Sequence, residues 1–396
     1  MSQLPPRTDV IVIGAGASGL MCALTAGYRG RSVLLLEHTT KVGRKLLISG
    51  GGRCNFTHLH STPEHFLSEN PHFCRSALSR FGPRDFLEMV ERHGIAHHEK
   101  APGQLFCDGS AREILEMLLT EAGWAGVRIE TGVTIGAVAA RSPGFRVETS
   151  RGAVEAEAVV VATGGLSIPK AGATGFAYDL AQSFGLRLVE RRAALVPFTL
   201  PPELLEPLQE LSGVSQPARI RCAGRSFEES LLFTHRGLSG PAVLQISSFW
   251  TPGSEVEIDL LPGADLAADL RRLRDEHPRW SLERCLGEGM SKRLARALCA
   301  HWSLTGEVGQ QSNARLEAVA AAFQRWRLLP AGTEGYRSAE VTRGGIDTDE
   351  LSQRTFEAKK VPGLHLIGEC VDVTGQLGGH NLQWAWSSGH CCGQAC

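Results

Sequence analysis

The decisive stretch is Val10-Ile11-Val12-Ile13-Gly14-Ala15-Gly16-Ala17-Ser18-Gly19. It is followed by a second apolar run, Val33-Leu34-Leu35-Leu36, which ends on Glu37. Each run is short enough for a buried strand, and the glycines between them open a helix. Gly14 permits the tight turn, Gly16 lacks the Cβ that would block a pyrophosphate, and Gly19 lets helix and strand pack closely. The helix N-terminus presents free N–H groups to the anion. Glu37 accepts hydrogen bonds from a ribose diol and repels a 2′-phosphate. The pattern predicts a β-α-β dinucleotide site and, by itself, suits NAD and FAD equally.

Outward from this unit, the 396 residues are 42% hydrophobic and 21% charged, with a formal net charge of −1. That is the composition of an ordinary globular chain of about two or three domains. No basic excess is present to neutralise a phosphate backbone, which argues against nucleic acid as the main partner. No apolar run approaches the ~18 residues that span a bilayer. Met1 to Arg7 lacks the apolar core of a signal peptide, so a cytoplasmic, membrane-free protein is expected. The eleven cysteines then read as reduced thiols. They lack paired CxxC spacing, so no metal site is expected, and Cys391, Cys392 and Cys396 read as helix-packing residues.

Helical periodicity is predicted over 71–81, 83–94, 110–124 and 174–185, and strands over 127–131, 133–139, 145–149, 153–156 and 158–162. The character changes near residue 190, where prolines accumulate. Short alternating stretches at 217–222, 226–233 and 254–260 suggest β-structure, and 265–276, 281–300 and 312–325 suggest helices. The reading is a dinucleotide-binding domain in two parts, 1–190 and 338–396. The insertion between them has a β part (191–262 and 326–337) and a helical part (263–325).

Three features favour FAD. A second strand-and-glycine arrangement closes the chain: Leu364-His365-Leu366-Ile367-Gly368-Glu369, then Gly378-Gly379 opening a last helix. Such a pair suits a longer cofactor, with the acid on ribityl hydroxyls and the helix dipole toward the flavin N1–C2=O edge. Thr163-Gly164-Gly165, after a buried strand, suits a backbone that approaches the ADP half. Gly43-Arg44-Lys45 and Gly50-Gly51-Gly52-Arg53 set cations and permissive glycines after the ribose acid.

Gly43-Arg44-Lys45-Leu46-Leu47-Ile48-Ser49-Gly50-Gly51-Gly52-Arg53-Cys54-Asn55 resembles the diagnostic segment of the HI0933-like (YhiN/BaiN-type) flavoproteins. So do Ala162 to Pro169, Phe233 to Pro241, Gly368 to Asp372 and Asn381 to Gly389, in the expected order. The resemblance implies an α/β fold: a Rossmann-like FAD-binding domain of three-layer ββα type, interrupted by a β-barrel-like domain and a small helical domain. It implies non-covalent FAD and an NAD(P)/FAD-dependent oxidoreductase. By position, Gly14, Gly16, Ser18 and Gly19 face the pyrophosphate and Glu37 the adenosine ribose. Arg44, Lys45, Gly52, Arg53, Cys54 and Asn55 lie along the cofactor, with Thr163 and Gly164. Val133 meets adenine through its backbone, with Ile135 as the alternative register. Gly368, Glu369, Gly379, Asn381 and Leu382 hold the ribityl chain and flavin. The sequence departs from the family at His380, where an aromatic is common, and between Asp372 and Gly378.

A second GxGxxG for NAD(P)H is absent, so a nicotinamide would dock transiently or the reductant would be the substrate itself. Hydride transfer between flavin N5 and an activated C=C of a small, steroid-like organic molecule is the first reading, and it needs a proton donor. His380 is the candidate catalytic residue, with Cys54 and His235 behind it. The alternatives are a flavin-dependent RNA-modifying or RNA-associated protein, and a flavin-binding protein without nicotinamide turnover.

Overall fold

The computed structural model describes residues 3–396. The chain forms two compact units: the chain up to Ala193 together with Glu340–Cys396, and Ala194–Ala339.

The first unit is built on β1 (Arg7–Ile13), α1 (Ala17–Tyr28), β2 (Val33–Glu37), α2 (Ala111–Trp124), β3 (Arg128–Thr131), β4 (Ile135–Ala140), β5 (Phe145–Thr149), β6 (Gly152–Val161), β7 (Leu364–Leu366) and α3 (His380–Gly393). The strand order is β3-β2-β1-β6-β5-β4, with β7 also on β6. Neighbours from β3 to β6, and β7 on β6, are parallel. The hairpin strands β5 and β4 are antiparallel. Val10–Ile13 and β2 are buried on both faces, which explains their unbroken apolar runs.

β6 corrects the sequence reading, which divides it into two strands. It is one strand of ten residues that changes neighbour halfway. Residues 152–156 pair with β5, whereas 159–161 pair with β7. Glu155 in the hairpin half and Glu157 just past it face solvent, and their charges interrupt the apolar pattern. A further sheet, Asn55–His58 with Gln104–Cys107 and His97–Ala101, is not anticipated by the sequence. Its strand His97-His98-Glu99-Lys100-Ala101 is too polar to alternate.

The register aligns the motifs. Ile13 lies opposite Leu36 and Val161, and Val161 lies opposite Leu366. Hydrogen bonds continue the ladder beyond the strands: Gly14 N–H to Leu36 O (2.8 Å), Ala162 N–H to Ile13 O (2.8 Å) and Ile367 N–H to Val161 O (3.1 Å). Gly14, Glu37, Ala162 and Gly368 therefore share one carboxyl-end rim of the sheet, where ligands of open α/β sheets bind.

In the second unit, strands 215–222, 225–233 and 256–259 form the middle of a seven-stranded sheet. Its two outermost strands, Trp326–Leu328 and Gly332–Thr333, are separated by three residues. In a flat sheet they would lie ~29 Å apart, at about 4.8 Å per strand. Four Cα steps from Leu328 to Gly332 reach at most ~14 Å. The sheet must curl toward closure, as a barrel-like domain requires. Beside it lie Leu266–Glu276, Leu282–Leu286, Lys292–His301 and Asn313–Gln324. The helix expected over 281–300 is broken: Gly287 and Gly289 end one segment, and the Ser291 hydroxyl caps the next by accepting from Leu294 N–H. Among the described residues no helix is long and apolar enough to cross a membrane.

Candidate functional site

The rim is shaped by what its glycines permit. A Cβ on Gly14 (φ +106°) would lie 2.6 Å from Ala162 O, and one on Gly19 would lie 1.9 Å from Gly14 O. These two glycines exist for backbone packing. A Cβ on Gly16 would meet nothing within 4 Å. Gly16 thus fronts open space at the start of α1, whose first turn has no side-chain cap and no acid. α3 repeats the arrangement: it begins at Gly379, again with no side-chain cap and no acid in the first turn. Two helix N-termini with unneutralised dipoles suit a ligand that is anionic at two places.

Glu37 is buried at the tip of β2. One carboxylate oxygen accepts from Ala15 N–H (3.0 Å) and the other from Thr39 N–H (2.8 Å), which fixes the carboxylate at the glycine turn. Val133 lies beside it, its N–H donating to Glu37 O at 3.0 Å. Ile135 begins β4 instead. Thr163 Oγ1 is buried without a hydrogen-bond partner among the described residues, next to Gly164, where an added Cβ would find open space. An orphaned buried hydroxyl costs about 1–3 kcal/mol unless a ligand satisfies it.

Gly368 closes the opposite side. An added Cβ there would lie 2.5 Å from Ser18 Oγ. Its N–H donates to Ser388 Oγ (3.2 Å), and its carbonyl accepts from Trp384 Nε1 (3.0 Å). Glu369 pairs with Lys45 at 2.5 Å and accepts from Thr342 N–H at 3.0 Å. Arg44 Nη2 donates to Lys170 O, and Arg53 is exposed. Gly50, Gly51 and Gly52 all have positive φ, and Gly51 and Gly52 border open space. Asn55 holds the last glycine turn: its oxygen accepts from Gly379 N–H (3.3 Å), and its amide donates to Leu105 O and Thr57 O. Asn381 ties the other end, accepting from Gly375 N–H and donating to Gly375 O, both at 2.8 Å. Leu382 is half-buried against the core.

The proton-donor candidates fare differently. His380 is only 2% exposed. Its ring stacks against both His58 and His65, each centroid 4.4 Å away while those two stand 6.0 Å from one another, and Ser61 Oγ lies 2.7 Å from Nδ1. Burial, with His58 and His65 adding repulsion, pushes its pKa down to about 2. The expectation that His380 donates a proton finds no support in this placement: the ring is neutral and closed in. Cys54 is fully buried, and burial pushes its thiol up to about 12. His235 is exposed, on the turn before Gly237–Ser239 in the second unit.

The sequence reading missed Thr342. Its hydroxyl accepts from Leu166 N–H at 2.8 Å, and so joins the Gly164-Gly165 turn to Glu369. The signal was the glycine pair in Val341-Thr342-Arg343-Gly344-Gly345. A Cβ on Gly344 would lie 2.0 Å from Glu190 O.

Residues 8–395 match the family model described as HI0933-like protein Rossmann domain. The chain belongs to the HI0933-like family. It is 52% identical over 390 residues, 98% of either chain, to a protein of Escherichia coli named ribosomal RNA dihydrouridine synthase. It is 30% identical over 403 residues, covering 97% of this chain and 98% of the other, to the 3-dehydro-bile acid delta(4,6)-reductase of Clostridium scindens. In fold it resembles the 3-ketosteroid-delta4-(5alpha)-dehydrogenase of Rhodococcus jostii RHA1, with a TM-score of 0.50 at 15% identity over 99% of this chain and 98% of that one. The HI0933-like chain described here is an FAD-dependent oxidoreductase.

Proposed function

We propose that this protein reduces the C5=C6 bond of a uridine in ribosomal RNA, with FAD held non-covalently on the rim. The observation that carries the reading is the 52% identity, along 98% of both chains, to the Escherichia coli ribosomal RNA dihydrouridine synthase. The residues suit the cofactor: Gly16 borders open space, both flanking helices begin uncapped, and Thr163 Oγ1 lacks a partner. Gly14, Gly16, Ser18 and Gly19 would take the pyrophosphate, and Glu37 the adenosine ribose. Thr163, Gly164 and the Val133 backbone would follow the ADP half. Arg44, Lys45, Gly52, Arg53, Cys54, Asn55, Gly368, Glu369, Gly379, Asn381 and Leu382 would line the rest. When bound, FAD supplies hydride chemistry at flavin N5.

Uracil C5=C6 is conjugated to a carbonyl, so its reduction places hydride on C6 and a proton on C5. The same logic governs an enone, which is why one scaffold could serve a nucleobase or a steroid-like ring. The uncapped start of α3 stabilises negative charge near the cofactor. His380, neutral and clamped by His58, His65 and Ser61, positions that helix start. The proton on C5 can come from solvent water, because no general acid is assigned within the first unit. A net charge of −1 concerns the field of the whole molecule, and RNA recognition depends on local cations.

The test is anaerobic incubation of the reduced protein with ribosomal RNA that lacks dihydrouridine, followed by nucleoside mass spectrometry. Dihydrouridine should appear at a single position. The Clostridium scindens relative supports a second reading, reduction of a small enone. Turnover of a steroid dienone with no change in RNA would favour it. NADH and NADPH, offered separately, identify the donor.

A further inference from the structure

Away from the rim, three sulfurs converge. Cys22 lies in the middle of α1, Cys392 in the last turn of α3, and Cys396 three residues beyond that helix's end, folded back over it. All three are buried, and their Sγ atoms lie within 4.8 Å of one another. Among the described residues no other set of three or more potential ligands meets this condition. The approach is enforced by glycine. A Cβ on Gly393 would lie 2.6 Å from Cys22 O, and one on Gly389 would lie 2.5 Å from Ser18 O, so the two helices touch backbone to backbone. Arg29 Nη1 donates to Gly393 O (2.9 Å) and Cys396 O (3.0 Å), which fixes the final turn and sets a cation beside the sulfurs. Cys396 N–H donates to Cys392 O at 3.0 Å, holding its side chain over the pair.

We propose that Cys22, Cys392 and Cys396 form a binding site for one soft, thiophilic d10 cation, Zn(II) or Cu(I), that staples α3 to α1. At a metal–sulfur distance of about 2.3 Å, three sulfurs around one ion stand about 4 Å apart. The three thiols reach this by contracting less than an ångström. Binding releases the three thiol protons to solvent and changes no oxidation state. The resulting anionic cluster is offset by Arg29. Three sulfurs complete a trigonal Cu(I) site, whereas Zn(II) would take a fourth donor from solvent past Cys396, which is 6% exposed. The site lies about four turns of α3 from its N-terminus, so it acts on the cofactor only by fixing the helix. Neither CxxC spacing nor any local motif announces it, because Cys22 and Cys392 come from opposite ends of the chain.

The test uses the FAD-loaded protein, kept reduced with a phosphine under anaerobic conditions and stripped with a chelator. Zn(II) is titrated against a zinc-chelating dye in one arm, and Cu(I) against bicinchoninate in the other. The expected result is one ion per chain in at least one arm, with three fewer of the eleven thiols open to modification after denaturant pulses. Cys396→Ser, at the edge of the cluster, should keep the flavin spectrum and circular dichroism of the parent while weakening binding by at least about tenfold. Cys391→Ser should bind as the parent does, because its sulfur points away toward Ala77 O at 3.9 Å. The proposal is overturned if neither ion binds stoichiometrically, or if Cys391→Ser and Cys396→Ser lose binding equally.

Discussion

Replacing His380 by phenylalanine, an aromatic of the kind common at this position in the family, should make the fold resistant to acid. The folded protein holds this imidazole neutral down to a pKa of about 2, against 6.5 when unfolded. Between those values the unfolded chain binds a proton that the folded chain does not, so stability falls as pH drops below 6.5. From pH 7.5 to pH 5 the unfolded imidazole gains about 1.5 logarithmic units of proton binding while the folded one gains almost none. At about 1.36 kcal/mol per unit, that is a loss of about 2 kcal/mol. His58, pushed down to about 4 chiefly by burial, adds a loss present in both proteins. The assay is urea unfolding at pH 7.5 and pH 5, followed by flavin release so that it reports the first unit, with the midpoint shift converted at a common slope. His380→Phe should lose about 2 kcal/mol less than the parent over this interval. Equal losses would show that His380 is not a neutral buried ring, and the positioning role assigned to it would fall.

Other substitutions separate cofactor binding from folding. Gly16→Ala should leave the apo fold within about 1 kcal/mol of the parent yet weaken FAD binding, whereas Gly19→Ala, pressed on Gly14 O, should destabilise the fold itself by about 1–3 kcal/mol or more; parallel calorimetry and flavin titration distinguish the two. Thr163→Val removes a buried hydroxyl that lacks a partner, so the apo protein should gain about 1 kcal/mol of stability while FAD affinity falls. Unchanged affinity would remove Thr163 from the site. Glu37→Ala should weaken FAD by about 1–3 kcal/mol through lost charge-assisted hydrogen bonds, measured by equilibrium dialysis.

The geometry of the glycine rim was legible because its rules are local. Gly14, Gly19 and Glu37 sit within one β-α-β unit, and their spacing carries the geometry. The family segments then joined this unit to Gly368 and Gly379 far along the chain. What stayed hidden depends on tertiary packing. The single long β6 reads as two strands because its neighbour changes midway. Thr342 has no motif, and its role appears only when Leu166 and Glu369 are brought to it. His380 looks like an acid–base residue in the sequence, and only the flanking imidazoles reveal a neutral spacer. Net charge bears little on the proposed RNA substrate, since it averages over the whole surface.

The most direct test of the account is a single-turnover reaction: photoreduced, FAD-loaded protein mixed anaerobically with ribosomal RNA that lacks dihydrouridine, with flavin reoxidation followed alongside nucleoside mass. The account predicts that the flavin reoxidises with formation of one dihydrouridine per flavin oxidised. Flavin that stays reduced with RNA but reoxidises rapidly with a steroid dienone would contradict it.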